Sequence, residues 1–258
     1  MPNMWEKHAL KKRARDANRT IAVYTRNATS RFHNRESSFL SAINSISLSA
    51  SMVLDPDNTT RITRLKEEAT KALEEYGFVP DDLPFALFYK GDSILSPFGC
   101  NHDIIIKCIG LIQLASAVPL LVNILEWGSL SKDISEVFGM FGPQVDFCTR
   151  GYYVLWALAE IGDKSAVPSI RRGVKTEYGS LPSGLVPLAK MGCHEESDQL
   201  VQALRTHPNS DLLSTIIEYR LYMPELLPLI SSLAQSSKDF NVAHNARLIL
   251  TEAGYKRK

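Results

Sequence analysis

The chain has 258 residues, of which 45% are hydrophobic and 22% charged, values typical of a globular protein with a substantial core. The formal net charge is only +1, but residues 1–35, the basic arm, carry nine Lys and Arg against two acidic residues. The rest of the chain has no excess of positive charge. This distribution excludes a broad electrostatic surface for nucleic acid on the body of the protein.

Cysteine usage and the N-terminal composition bear on the compartment in which the protein works. No two cysteines have a CxxC spacing, and each lies among apolar residues, as is typical of reduced thiols in a cytosolic protein. The Arg-rich start also resembles a mitochondrial presequence, although Glu6, Asp16 and a weak apolar stripe argue against cleavage. We therefore predict a cytoplasmic protein. The cysteines are Cys100, Cys108, Cys148 and Cys193.

Two uncharged stretches are candidates for a membrane span; residues 37–54 contain seven serines and are too polar, so residues 108–125 are the better candidate. This second stretch contains a Gln, a Ser, a Pro and an Asn, whereas a spanning helix needs about 20 predominantly apolar residues. Two short helices that meet near Ala115 explain the stretch better, so we predict no membrane span.

In the first hundred residues, apolar side chains follow a helical spacing. A serine-rich stripe over residues 36–54 is followed by a clearer one over residues 57–76, which ends at Gly77. The segment FALFYK, residues 85–90, is the one serious strand candidate, although Pro84 equally suits the start of a helix. This part of the chain is therefore predicted to be helical.

The second part of the chain repeats a pattern of helix, tight turn and helix. Segments displaced by −49, +30 and +92 residues share apolar positions with residues 152–170. In the two downstream copies Gly192 and Gly254 take the place of Gly162, where a left-handed residue would end a helix. Asp163 or Ser165 would then cap the next helix. Such periods of 30–50 residues are typical of α-solenoids.

Prolines are predicted to mark the starts of the helices that follow these turns. Pro119 and Pro168 suit the first turn of a helix, and Pro224 is predicted to begin another one. The long spacing between the first two repeats leaves room for a third helix, as in an armadillo unit. Its apolar residues would be Ile134, Val137, Phe138 and Phe141.

The sequence from Arg150 through WALAEIGDKSAVP resembles the HEAT-repeat signature, in which an Arg opens the second helix and an Asp lies in the following turn. The resemblance covers roughly residues 100–255 and is clearest at residues 150–172. It implies an all-α, HEAT/armadillo-like fold, a right-handed superhelix of antiparallel helix pairs that binds protein or nucleic acid, and no single activity. We divide the chain into the basic arm (1–35), a helical N-terminal region (36–99) and the repeat domain (100–258).

The helix over residues 150–161 carries the principal candidates for partner binding. At 100° per residue its core stripe leaves Tyr153, Trp156 and Glu160 on the opposite side. These side chains either pack against a neighbouring part of the chain or form an aromatic platform on the inner surface of the solenoid. In the second case, equivalent positions on neighbouring helices would also contact the partner. The predicted set is Arg150, Tyr153, Trp156, Glu160, Lys107, Lys190 and Asn245.

The mixed charge of this set favours a protein or peptide partner over a phosphate backbone. We therefore predict a non-catalytic interaction or adaptor protein, with no catalytic residue, no cofactor and no metal site. Two alternatives stay open. Trp156 and Glu160 are similar to the aromatic and carboxylate pairs of HEAT-like alkylpurine DNA glycosylases, and the basic arm would suit a nucleic-acid-binding adaptor.

Overall fold

The computed structural model describes residues 4–52, 58–89, 102–138 and 151–255. Within these ranges the ordered elements are helices and no strand occurs, which confirms the predicted all-α class. No helix in the same ranges is both long and apolar enough to cross a bilayer. The chain forms two compact units, Met1–Gly173 and Val174–Lys258. The division into arm, N-terminal region and repeat domain remains a prediction.

In the first unit each helix, numbered in chain order, packs on particular neighbouring helices. The first helix packs on the fourth and sixth, the second on the third and fifth, and the seventh on both the fifth and sixth. The eighth helix runs across the border between the units. The bounds are α1 (Met4–Phe32), α2 (Glu36–Met52), α3 (Asn58–Glu75), α4 (Leu83–Ala86), α5 (His102–Leu111), α6 (Val118–Phe138), α7 (Gly151–Ile161) and α8 (Val167–Glu177).

The second unit continues the chain with α9 (Leu185–Lys190), α10 (His194–Thr206), α11 (Ser210–Tyr219), α12 (Leu227–Ser236) and α13 (Phe240–Glu252). Here α11 packs on both α9 and α13, just as α5 packs on α7 in the first unit. Stacking of alternate helices is what a helical repeat requires, because one helix pair cannot bury its own apolar stripe. The superhelix and its hand remain predictions.

One predicted local structure, the third helix, is wrong, and at FALFYK the helical alternative is confirmed over the strand. Residues 134–138 do not begin a third helix but complete α6, a single helix of 21 residues. No proline interrupts the segment, and Gly128 in a helix costs only about 1 kcal/mol relative to alanine, so nothing ends the helix earlier. In the strand candidate FALFYK, Phe85 and Ala86 belong to α4, which has Pro84 in its first turn, and residues 87–89 follow without forming a strand. Phe141 lies outside the described residues.

The proline predictions are confirmed at two positions and wrong at a third. Pro119 and Pro168 each occupy the second residue of a helix, α6 and α8, where a missing N–H breaks no internal hydrogen bond. Pro224 instead lies in the turn before α12, and Pro228 takes the first-turn position there. Because Pro224 and Pro228 both suit the first turn of a helix, the sequence does not decide where α12 begins. The packing of its later residues does.

A left-handed residue ends the first helix of each predicted repeat. Gly162, Gly192 and Gly254 have φ angles of 75°, 73° and 61°, as predicted. The same turn occurs without glycine at Gln113 (φ 51°), forty-nine residues before Gly162, and at Arg220 (φ 49°) after α11. At Gln113 the N–H of the next residue donates to the carbonyl of Ile109 over 3.1 Å, the bond that defines a Schellman motif. The turn therefore repeats more faithfully than the glycine that signals it.

We expect Gln113→Gly to stabilise the protein by about 0.5–1 kcal/mol. A side chain at a left-handed position clashes with its own backbone, and glycine removes that cost while adding some entropy to the unfolded chain. Urea denaturation followed by circular dichroism would measure the change. The reverse change at the equivalent turn, Gly162→Ala, should destabilise the protein by about 1 kcal/mol. A loss of stability in Gln113→Gly would contradict the prediction.

Asp163 is the residue that caps the helix after the Gly162 turn. Its carboxylate accepts a hydrogen bond of 2.8 Å from the backbone N–H of Ser165, at the start of a short 3₁₀ turn that leads into α8. This bond lowers the pKa of Asp163 below its usual value. The carboxylate form is therefore stabilised in the folded state, and its contribution is lost as the pH falls through that lowered pKa.

Candidate protein-binding site

The helix α7 is covered on two sides, whereas its sequence predicted one apolar stripe and therefore one buried side. All six residues from Val154 to Ala159 are buried. The cause is that α5 and α6 both pack against α7, and each covers a different part of its circumference. The predicted outer side is therefore open only at the ends of the helix, near Tyr153 and Glu160, both of which are half-buried.

Trp156 belongs to the helix contact and not to an open surface. Its side chain is 9% exposed. A Cβ atom placed on Gly110 of α5 would lie 2.7 Å from Cζ3 of Trp156 and 2.8 Å from Cα of Ala157, so the two helices approach at the width of a glycine. The prediction of Trp156 as an exposed aromatic platform is thus corrected. A buried indole also removes the stacking surface that the glycosylase alternative needs.

Tyr153 keeps an accessible position one turn earlier in α7. Nζ of Lys107, on α5, lies 4.5 Å from the centroid of the Tyr153 ring, within the range of a cation–π contact. The Tyr152 ring meets the Tyr153 ring edge-on, with centroids 5.1 Å apart. All three residues are half-buried. We call Lys107, Tyr152 and Tyr153 the lysine–tyrosine patch.

The other two predicted residues of the first unit, Glu160 and Arg150, do not belong to this patch. Glu160 is half-buried at the other end of α7. Arg150 precedes α7 and lies outside the described residues. The structure thus brings together two predicted residues, Lys107 and Tyr153, and adds Tyr152, which was not in the predicted set.

Lys190 and Asn245 belong to the second unit and hold its helices together. Nζ of Lys190 donates a hydrogen bond of 2.9 Å to the carbonyl of Tyr219, which links α9 to α11. The Asn245 amide donates to the Ser210 carbonyl (3.1 Å) and to Oγ of Ser214 (2.9 Å), which links α13 to α11. The Lys190 bond therefore satisfies a carbonyl at the C-terminal end of α11, and a contact with a partner stays a prediction for both residues.

A groove of mixed polar and apolar lining in the second unit was not anticipated from the sequence. It has a volume of about 600 Å³ and lies along α10, between that helix and the turn before α12. His194, Asp198 and Arg205 line it from α10, while Met223 and Glu225 line it from the turn. The spacing of the three α10 residues, four and then seven, places them on one side of the helix. Only the position of the turn shows that this side is concave.

Two observations bear on the chemistry that the described residues could carry out. Burial raises the pKa of the Cys108 thiol to about 12, so this cysteine is a neutral apolar side chain at physiological pH. In the described ranges no three His, Cys, Asp or Glu side chains cluster closely enough to hold a metal ion. Cys100 and Cys148 lie outside those ranges.

Comparison with known proteins identifies one repeat. Residues 152–176 match the family model described as PBS lyase HEAT-like repeat. The match spans α7, the Gly162 turn and nearly all of α8, so the predicted HEAT resemblance is confirmed for this segment. No curated protein and no solved structure gives a significant match to the chain.

Proposed function

We propose that the protein is a non-catalytic interaction module that binds a protein or peptide partner through the lysine–tyrosine patch. The HEAT-like match at residues 152–176 includes Tyr152 and Tyr153, and helical repeats of this class often serve as interaction scaffolds. The observation that carries the proposal is the Lys107–Tyr153 contact, in which a cation and an aromatic ring are held together by two packed helices while both remain half-exposed.

The chemistry of the patch suits a protein partner. Tyrosine contributes a large apolar ring and a hydroxyl with few rotatable bonds, which is why it is enriched where proteins bind one another. Lys107 provides one positive charge, enough to pair with a carboxylate of a peptide but too little to follow a row of phosphates. The buried Trp156 and the close contact at Gly110 keep α5 and α7 in register, so the patch is formed before a partner arrives.

We expect Tyr153→Ser to weaken partner binding by about thirtyfold, the equivalent of a hot-spot loss of about 2 kcal/mol. A pull-down from a lysate of the source organism, quantified by mass spectrometry, would compare this variant with the wild type. Lys107→Gln should lose the same partner, because it removes the other half of the contact. Unlike Trp156→Ala, neither substitution opens a cavity in the core.

The matched control is Phe240→Ser, since Phe240 is an aromatic residue 75% exposed in the second unit. This variant should recover every partner that the wild type recovers. A photo-crosslinking amino acid at position 153 should label the same protein directly, whereas one at position 240 should not. Equal recovery by all variants, with no labelling from position 153, would show that the patch is not the binding site.

A further inference from the structure

Two groups of basic residues in and just after α1 differ in what they contact. Arg31 pairs with Asp82, and its guanidinium lies 4.1 Å from the centroid of the Phe85 ring. Arg35, just after α1, donates a hydrogen bond of 2.6 Å to the carbonyl of Gly77. These two arginines therefore fasten the C-terminal end of the arm to the body of the first unit.

The other group forms a row on the opposite side of the helix. The residues Ala17, Ala28 and Phe32 are buried against the body, which fixes the inward side of α1. The positions 12, 15, 19 and 26 repeat at intervals of three, four and seven, so their side chains share one side of the helix. At 1.5 Å per residue they extend over about 21 Å. We call this row the basic stripe; its members, all exposed, are Lys12, Arg15, Arg19 and Arg26.

The basic stripe is open to a ligand along its length. The Arg19 side chain is 82% exposed, and its carboxylate neighbour Asp16 stands 3.8 Å away, a separation at which an exposed ion pair contributes little. Four positive charges within about 21 Å match a polyanion, and a nucleic-acid duplex presents one phosphate charge per about 1.7 Å of axis. Over the same length a duplex presents about twelve phosphate charges, so each cation of the basic stripe has a phosphate with which to pair.

The orientation of α1 favours nucleic acid over an anionic membrane. A helix that lies in a membrane interface turns its apolar side to the lipid. In α1 the apolar side is covered by the body, where Tyr24 stacks on Phe88 with ring centroids 4.9 Å apart. Three large apolar side chains of α1 are exposed, Met4 (77%), Trp5 (78%) and Val23 (54%), but Val23 lies eighteen positions after Trp5, so they do not form a continuous apolar face. We propose that the basic stripe binds the phosphate backbone of a nucleic-acid duplex.

The test compares two triple variants of the full chain that each remove three positive charges. The first, Lys12→Gln with Arg15→Gln and Arg26→Gln, removes three of the four positive charges of the basic stripe. The second, Lys164→Gln with Lys175→Gln and Lys238→Gln, neutralises exposed lysines elsewhere. Fluorescence anisotropy with 25-base-pair duplexes of DNA and of RNA, over a range of KCl concentrations, would give the affinity and its salt dependence. Anionic vesicles containing phosphatidylserine serve as the lipid probe.

The wild type and the second triple variant should bind at least one duplex with the same affinity. The first triple variant should bind at least about tenfold more weakly at low salt, and its plot of log affinity against log salt should be shallower by about 2–3, as expected for three lost phosphate contacts. Retained affinity in the first variant, equal weakening in both variants, or stripe-dependent binding to vesicles alone would overturn the proposal. Tyr153→Ser should bind the duplexes like the wild type, so this result is independent of the proposed function.

Discussion

Replacing Phe32 by alanine should lower the free energy of unfolding by about 4 kcal/mol, the range found when a fully buried phenylalanine is truncated. Phe32 is the last residue of α1 and is completely buried. Its ring centroid lies 4.8 Å from that of Phe39, 5.8 Å from that of Phe78 and 5.7 Å from that of Tyr89. One substitution therefore removes contacts between α1, α2 and the segment around α4, and leaves a cavity that these rings cannot fill together.

Chemical denaturation monitored by circular dichroism, with the midpoint and slope fitted together, would measure this loss. Phe240→Ala is the matched control, because Phe240 is 75% exposed and should change the stability by no more than about 0.5 kcal/mol. A loss below about 1 kcal/mol in Phe32→Ala would mean that the aromatic cluster does not hold the arm on the body. In that case the buried residues of α1 would no longer establish which side of the helix faces the body, and the proposal for the basic stripe depends on that side.

Gly110→Ala should destabilise the protein by up to about 2 kcal/mol, although alanine is the better helix former. The new methyl group would stand 2.8 Å from Cα of Ala157, a backbone atom that cannot rotate away, so α5 and α7 would have to separate. Overpacking of this kind costs about 1–3 kcal/mol and outweighs the gain of about 1 kcal/mol in helix propensity. Separation of the helices would also move Lys107 away from Tyr153.

The control for Gly110→Ala is Gly128→Ala in α6, where no atom lies within 4 Å of the added methyl group. That substitution should stabilise the protein by up to about 1 kcal/mol, because only helix propensity changes. Thermal unfolding of the two variants should therefore shift in opposite directions. Two shifts of the same sign would show that the contact between α5 and α7 is looser than the distances indicate.

Several turns of the fold could be predicted because their signals are local. A glycine at position 162 and a proline at position 168 act through the φ angles of their own residues, and the structure uses both as predicted. The same turn at Gln113 and Arg220 carries no such signal, since these residues adopt a left-handed φ only because the helices on either side demand it. Packing at those positions overrides the preference of the residue.

The candidate site was predicted only in part, for a reason that Trp156 illustrates. Helical periodicity identifies the side of α7 that must be buried, but it gives no information on whether a second neighbour covers the other side. Two neighbours, α5 and α6, pack on this one helix, and the glycine at position 110 lets α5 come close enough to enclose the indole. The partnership of Lys107 with Tyr153 depends on the same approach of two segments forty-six residues apart in the chain.

By itself, the amino-acid sequence determined that the chain is helical, where several of its helices end and that a repeat of HEAT type runs through residues 152–176, because each of these depends on residues near one another in the chain. Tertiary structure decided which basic residues of the arm fasten it and which remain outward, that Trp156 is core and that Tyr153 stays accessible. Exposure is a property of what packs on a side chain. These neighbouring residues are distant in the sequence, so a local sequence pattern does not indicate that they pack together.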